Sequence, residues 1–344
     1  MNNFENVCEG LRQNPRQWLI TGAAGFIGSN LVEALLKLNQ VVVGLDDFST
    51  GRRDNLDDVR ESISAAMWNR FTIIEGDITD IANCRAGVDR TDYVLHEAAM
   101  ASVPQSIQEP IACHEVNVAG FLNLLRSSSE AGVKRLVYAS SCAVYGDDPE
   151  LPKTEASKLR CLSPYALTKL MDEQYALLWT RCYDCETIGL RYFNIFGPRQ
   201  DPNGAYAAVI PRWIDALLHD KDVIVYGDGS SSRDFCHVAN VVAANICAAT
   251  TSNPAAVNQV FNIGAGAQTS LNDLFDTLQN RVLRDCPTLK LRRPQYCDFR
   301  AGDIRHSQAA ITKAEALLGY RPGIQFAEGL AETVKWYLAH PGRT

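Results

Sequence analysis

No stretch of the 344 residues approaches the ~18 consecutive apolar positions of a membrane span, and no segment is repeated or of low complexity. Basic residues are in the minority, 33 Lys and Arg against 40 Asp and Glu for a net charge of −7, and they form no block. The most basic stretch, Lys290, Arg292 and Arg293, reads as a solvated face, so neither nucleic acid nor an anionic membrane is expected as a partner. The first residues, with Asn2, Asn3, Glu5, Asn6 and Glu9, lack the charged-then-apolar pattern of a signal peptide, and a cytoplasmic protein is expected. Eleven scattered cysteines, an odd number, read as small buried hydrophobes rather than a disulfide framework. Cys182 and Cys185 form a CxxC without a second pair or a flanking His, at the end of a predicted helix where a thiolate gains nothing. Packing is therefore expected of them, and no metal site. With 46% hydrophobic residues the chain has ordinary globular material, enough at roughly 150 residues per domain for two lobes or one large α/β unit with a cap.

After a polar N-terminal extension over 1–17, short apolar strands are predicted at Trp18 to Thr21 and Val41 to Asp46, flanking an amphipathic helix from Phe26 to Leu38. The alternation continues with strands Phe71 to Glu75, Tyr93 to His96, Arg135 to Ser140 and Thr187 to Arg191, and helices Glu115 to Ser128 and Pro164 to Arg181. Near-continuous apolar strands between helices predict a doubly wound parallel sheet of the Rossmann type over 18–191. Beyond Arg191 the punctuation by Gly197, Pro198, Pro202, Gly204, Pro211, Gly227 and Gly229 predicts a smaller mixed α/β lobe over 192–344 that holds a substrate. Some of its strands and helices can return to the first domain. Its final helix is placed near Leu330 to Leu338.

Between the first strand and first helix runs Thr21-Gly-Ala-Ala-Gly-Phe-Ile-Gly28. A side chain at Gly22 would block the tight turn, one at Gly25 would hold the backbone off a pyrophosphate, and one at Gly28 would part helix from strand. Phosphates would meet the N–H groups and positive dipole end of the helix that Phe26 and Ile27 open. A bare glycine trio can be only a turn. Asp46, eighteen residues after Gly28 at the end of the second strand, adds an acceptor for a ribose 2′-hydroxyl that repels a 2′-phosphate, so NAD is expected in preference to NADP. Asp77 and Ile78 follow the third strand; Asp77 suits an adenine amino group, or equally a helix cap.

Tyr165 and Lys169 lie four residues apart on one predicted helix face. The ammonium, joined by an oxidised nicotinamide, is expected to draw the phenol below its reference of about 10 and make it a base for a sugar hydroxyl. Alone, such a pair usually marks an exposed helix face. Ser140 and Ser141, at the end of a strand, change that reading, because ligands of a doubly wound sheet lie beyond the C-terminal strand edges. Ser141 is chosen as the hydroxyl bridging Tyr165 and substrate, by its position before Tyr145 in Ser140-Ser-Cys-Ala-Val-Tyr-Gly146.

The GxxGxxG spacing, together with Ser141, Tyr165 and Lys169, resembles the extended short-chain dehydrogenase/reductase family. Leu190-Arg-Tyr-Phe-Asn-Ile-Phe-Gly-Pro198, Gly227-Asp-Gly-Ser-Ser-Ser-Arg-Asp-Phe235 and Phe299-Arg-Ala-Gly-Asp-Ile-Arg305 resemble its nucleotide-sugar epimerase branch, over nearly the whole chain. The resemblance implies that Asn194, Arg233 and Arg300 contact a UDP diphosphate, that Asp303 bonds the uridine ribose, and that a homodimer forms through the two helices Glu115 to Ser128 and Pro164 to Arg181. Guanidinium forks suit phosphate oxygens, although Arg233 beside Asp234 would by itself read as a salt bridge. In the homodimer helices, Leu124, Leu125, Leu177 and Leu178 can serve either an interface or the sheet-facing core.

Relatives that eliminate water would carry Asp-Glu at Cys142 and Ala143, and those that decarboxylate would carry a Glu nearby. Neither is present, which leaves hydride and proton exchange at one carbon, and a 4-epimerase is expected. The segments Ala99 to Ser106, Asp201 to Pro211 and Arg305 to Gln308 are similar to those of bacterial epimerases of UDP-GlcNAc and UDP-GalNAc, or of their uronic acids. Ala101, Ala208 and Ser307 match three positions around the turning sugar, beside Ser102 and Val209, and all three are small enough to clear an N-acetyl group. UDP-GlcNAc and UDP-GalNAc are thus the expected substrates; a uronic-acid epimerase, a net dehydrogenase and a non-catalytic NAD sensor are the competing readings. Asn240 where an acid is usual, and Ala310 where an Asp is common, depart from the pattern, with lobe packing the expected consequence. His237 and His306 read as structural groups.

Overall fold

The computed structural model describes residues 3–183, 185–203, 207–299 and 304–343. Six strands, β1 (Gln17–Thr21), β2 (Val41–Asp46), β3 (Phe71–Glu75), β4 (Tyr93–His96), β5 (Arg135–Ser141) and β6 (Thr187–Tyr192), and a seventh at Gln259–Ile263 form one sheet. Every pairing in it is parallel, in the order β3-β2-β1-β4-β5-β6 and then Gln259–Ile263. Helices cover both faces, as the strand composition requires. Trp18, Leu19 and Ile20 of β1 are wholly buried, whereas the edge strand β3 is buried nowhere along its length. The order reverses between β1 and β4, and the C-terminal strand ends there open into a cleft.

The expected polar extension is ordered. Asn3–Gln13 forms a helix, α1, whose Phe4, Val7, Cys8 and Leu11 recur at helical spacing and pack on the main core. Gln40 ties it down by donating to the Leu11 carbonyl at 2.8 Å while accepting from the Trp18 indole at 3.1 Å.

The chain beyond 191 serves two cores. One of them gathers Phe196, Ile214, Phe235, Leu278 and Tyr337, apart from the sheet. The helices Val238–Thr250 and Thr312–Leu318 instead return to the main core with Val241, Ile246 and Ala314, as Gln259–Ile263 returns to the sheet. The helix expected from Glu115 instead continues directly from the helix Pro110–His114 through a π-helical turn, Glu115–Ala119, into the α-helix Gly120–Ala131. Asn117 lies within this turn. Its buried amide accepts from Met100 N–H at 2.8 Å and donates to Met100 O at 3.2 Å and Thr168 Oγ1 at 3.0 Å, pinning a cleft loop to the helix that carries Tyr165.

Of the cysteines, Cys185 is buried, but Cys182 is exposed and does not pack as expected, because it lies on the outer side of the last turn of Pro164–Tyr183. No helix among the described residues is long and apolar enough to cross a membrane.

Candidate active site

The glycine turn is fixed by close approach. Gly22 has φ +68°, and a Cβ on it would lie 2.8 Å from Ala98 N. A Cβ on Gly28 would fall 1.9 Å from the Gly22 carbonyl oxygen, so the helix α2 (Phe26–Lys37) can start here only on bare backbone. A Cβ on Gly25 would stand 3.1 Å from the same oxygen. Phe26 and Ile27 open α2, with Ile27 packed on the core. Asp46 reaches the turn from β2: Oδ2 accepts from Ala24 N–H at 2.8 Å and Oδ1 from Phe48 N–H at 2.9 Å. Burial pushes its carboxyl up and these two bonds oppose that shift. The acid thus braces the loop as well as facing the cleft. Asp77 is not the cap of the next helix. That is Asp80, whose side chain accepts from Ala82 N–H, while Asp77 accepts from Thr79 N–H and stays in the cleft wall with Ile78. The cleft encloses roughly 260 Å³ between Gly22, Asp46, Asp77, Ile78, Ala98 and Met100. A glycine cradle that any Cβ would fill, the open N-terminus of α2 and an acid at the ribose end fit a dinucleotide.

Ser141, Tyr165 and Lys169 come together at the end of β5. The Ser141 hydroxyl accepts from Ala143 N–H at 3.1 Å and is hydrogen-bonded to the Tyr165 phenol. Tyr165 N–H donates to Ser106 Oγ at 3.1 Å, which sets the first turn of Pro164–Tyr183 against the preceding loop. Lys169, one turn on, is 2% exposed. In the chain alone, desolvation of the phenolate outweighs the Lys169 charge and the Ser141 bond and holds Tyr165 above its ordinary value; the expected lowering also counted the charge of an oxidised nicotinamide. Lys169 and Ser141 are the two groups that oppose this shift.

Ser140 is not at the reacting centre. Its hydroxyl, 2% exposed, donates to Glu173 Oε1 at 2.6 Å. Glu173 also accepts from Arg191 at 2.8 and 2.6 Å, and Arg191 donates to the Tyr145 hydroxyl at 2.8 Å. This buried network stiffens the strand ends that carry Ser141.

On the other side of the cleft, a cavity of about 260 Å³ is lined by Asn194, Ala208, Val209, Trp213, Tyr226 and Arg233. Asn194 donates to Ser307 Oγ at 3.0 Å, which brings two of the expected residues together. Arg233 donates to the Ser232 and Arg305 carbonyls. Asp234 is wholly buried and accepts from Ala265, Gly266 and Ala309 N–H groups, and burial pushes it up to about 6. Ser102 caps Val103–Gln108 through Gln105 N–H, leaving Ala101 exposed before it. Arg300 and Asp303 lie outside the described residues. His237 caps Val238–Thr250, held neutral by burial that takes it down to about 4, and His306 pairs with Ser232 Oγ at 2.9 Å. Asn240 both accepts from Ile324 N–H at 2.9 Å and donates to Ile324 O at 2.8 Å, which a carboxylate could not do. Ala310 keeps its place through the backbone, donating to Lys153 O at 2.7 Å.

Sequence reading missed three groups here. Asp172 is buried against Lys169, Glu97 at the cleft wall accepts from the Tyr192 hydroxyl at 2.7 Å, and Asn117 pins Met100. Polar side chains on otherwise buried positions of the helix and strands were the available signal. Cys142, considered only as a vacant acid position, has its thiol raised to about 11 by burial beside Arg233 and Asp234.

A parallel sheet that switches direction over a glycine cradle, with a Ser-Tyr-Lys cluster beyond the next strand end, defines a dinucleotide-dependent enzyme. The chain belongs to the NAD dependent epimerase/dehydratase family, whose model matches residues 18–264, and its cofactor is NAD. It is 36% identical over 321 residues to the UDP-glucose 4-epimerase of Mycolicibacterium smegmatis, covering 93% of this chain and 97% of that protein. Among solved structures it is similar to the UDP-N-acetylglucosamine 4-epimerase of Methanobrevibacter ruminantium M1 in complex with UDP-N-acetylmuramic acid (36% identity, TM-score 0.86, 95% and 99% of the two chains). It is also similar to the UDP-glucose 4-epimerase of Thermus thermophilus in complex with NAD (31% identity, TM-score 0.80, 94% and 99%).

Proposed function

We propose that this protein is a UDP-sugar 4-epimerase that interconverts UDP-GlcNAc and UDP-GalNAc. The observation that carries the reading is the pairing of a single Ser141–Tyr165–Lys169 cluster with the small residues Ala208 and Ser307 across the cleft. In the mechanism, Tyr165 takes the proton of the sugar C4 hydroxyl, Ser141 holds that oxygen, and Lys169 stabilises the phenolate. NAD, which the Gly22–Gly28 turn and Asp46 would hold, would supply hydride acceptor and donor chemistry together with the positive charge that completes the pull on the phenol. Asn194, Arg233, Arg300 and Asp303 are assigned to the UDP, gripping it while the 4-keto sugar swings and presents its other face. Ala101, Ala208 and Ser307, with Ser102 and Val209 beside them, leave the clearance that an N-acetyl group needs in that swing.

Incubation of the purified protein with UDP-GlcNAc or UDP-GalNAc, without added NAD, is expected to yield the other sugar by anion-exchange chromatography. Absence of interconversion with both would reject the reading. Faster turnover of UDP-uronic acids would move it to their 4-epimerases, and NADH accumulating in proportion to substrate would make it a net dehydrogenase. We also infer a homodimer through Gly120–Ala131 and Pro164–Tyr183. Leu124 and Leu125 are buried on the sheet, but Leu167 and Leu178 are 49% and 52% exposed on the second helix, a face that a partner helix would cover. A monomeric mass by light scattering would overturn that inference.

A further inference from the structure

We propose that Asp172 is a positioning residue for the Tyr165–Lys169 pair, its buried carboxylate setting how much of the lysine's positive field reaches the phenol. This rests on the reading of Tyr165 as the proton carrier. Asp172 lies one helical turn beyond Lys169, 1% exposed, with Oδ2 at 3.4 Å from the Lys169 Nζ. That separation is longer than the 2.7–2.9 Å of a tight charge-assisted bond. Its second oxygen, Oδ1, is buried without a hydrogen-bond partner. A carboxylate held this way is poorly compensated for lost hydration, and an apolar residue would pack at the position without that cost. What it does accomplish is electrostatic, because a negative charge beside the ammonium cancels part of the field that favours a phenolate.

The groups around it make this a local relation. Lys169, Tyr165 and Glu173 face Asp172 from its own helix, Tyr138 from β5, and Cys113 from the short helix Pro110–His114. Lys169 in turn is faced by His96 and Glu97 at the end of β4. Arg191 is engaged by Glu173. Burial raises Asp172 to about 7 even against Lys169, so its charge changes near neutral pH, below the range where the phenol ionises. An ionised Asp172 holds Tyr165 up.

The test compares wild type with Asp172→Asn, which keeps shape and loses charge, and Asp172→Glu, which keeps charge. Two readouts are taken: the acid limb of log kcat/KM against pH for UDP-GlcNAc, and the titration of the ¹³Cζ-tyrosine resonance that is absent in Tyr165→Phe. In Asp172→Asn both midpoints are expected to move to lower pH by on the order of half to one unit, while Asp172→Glu stays close to wild type. Should the Asn variant fail to fold, Asp172→Leu serves with the same expectation. A merely structural role would lower the thermal midpoint and leave both titrations within about 0.2 unit of wild type, and that result overturns the proposal. If the wild type turns over no UDP-sugar, the proposed function falls by itself. The resonance then decides the role of Asp172 alone, a shift supporting it and an unmoved midpoint refuting it.

Discussion

The two sides of the cleft are made rigid by different means. On the dinucleotide side the recognition surface is main chain: a turn in which Gly22 and Gly28 leave no room for a Cβ, braced by Asp46 through Ala24 and Phe48. On the side proposed to hold the sugar it is side chain carried on loops and short strands, with Asn194 held by Ser307 and Asp234 buried under three backbone N–H groups. The first arrangement tolerates almost no substitution, because backbone has no rotamer with which to yield. The second can be retuned one residue at a time, which suits a pocket that must accept one sugar and refuse another.

The largest effect is expected where the two sides meet. Tyr165→Phe should cut kcat by about 10²–10⁴-fold while leaving bound NAD in place, measured by product formation and by nucleotide released on denaturation. Retained turnover would detach the chemistry from this cluster. Next, Gly28→Ala forces a Cβ to within 1.9 Å of the Gly22 oxygen. A loss of about 2–4 kcal/mol by chemical denaturation, with weaker NAD retention, is expected from such a clash. A stable variant with full NAD content would show that the cradle can yield after all.

On the sugar side, Ser307→Tyr fills the clearance and removes the acceptor that Asn194 uses. Turnover of UDP-GlcNAc should fall about tenfold or more relative to UDP-glucose, and an equal loss for both sugars would assign Ser307 to orientation and not to clearance. Asn240→Asp replaces the donor to Ile324 O with an acceptor. It should cost about 1–2 kcal/mol with little change in KM, and a neutral result would remove this contact from the lobe's stability. The smallest effect concerns pH. Burial raises Glu97 to about 7, so between about 4.5 and 7 the folded protein binds more protons than the unfolded chain. Its contribution to stability therefore declines as pH rises through that window. Glu97→Gln keeps an acceptor for Tyr192 and should flatten the slope of unfolding free energy against pH, with an unchanged slope placing the effect elsewhere.

Strands β1 to β6 were legible to within a residue because each is a short apolar run between turn signals. The sheet's seventh strand, Gln259–Ile263, was not, since its place beside β6 depends on the chain crossing back to the sheet from a segment distant in sequence. Likewise, α1 carries Phe4, Val7, Cys8 and Leu11 at helical spacing, but its many polar residues dominated a reading made without its packing partner. Ser140 and Ser141 are alike in sequence. Only the position of Glu173 shows that one hydroxyl is committed to the interior.

What the sequence settled by itself is backbone chemistry and periodicity. Three glycines at fixed spacing, an acid after the second strand, and Tyr and Lys one helical turn apart are local facts that dictate local geometry. Only the tertiary structure decided the electrostatics. Whether Tyr165 lies above or below its ordinary value, and whether Asp172 is a solvated helix acid or a buried neighbour of Lys169, depends on how much water the surrounding fold excludes. Water exclusion is a property of all the packed layers together, and no window of sequence contains it.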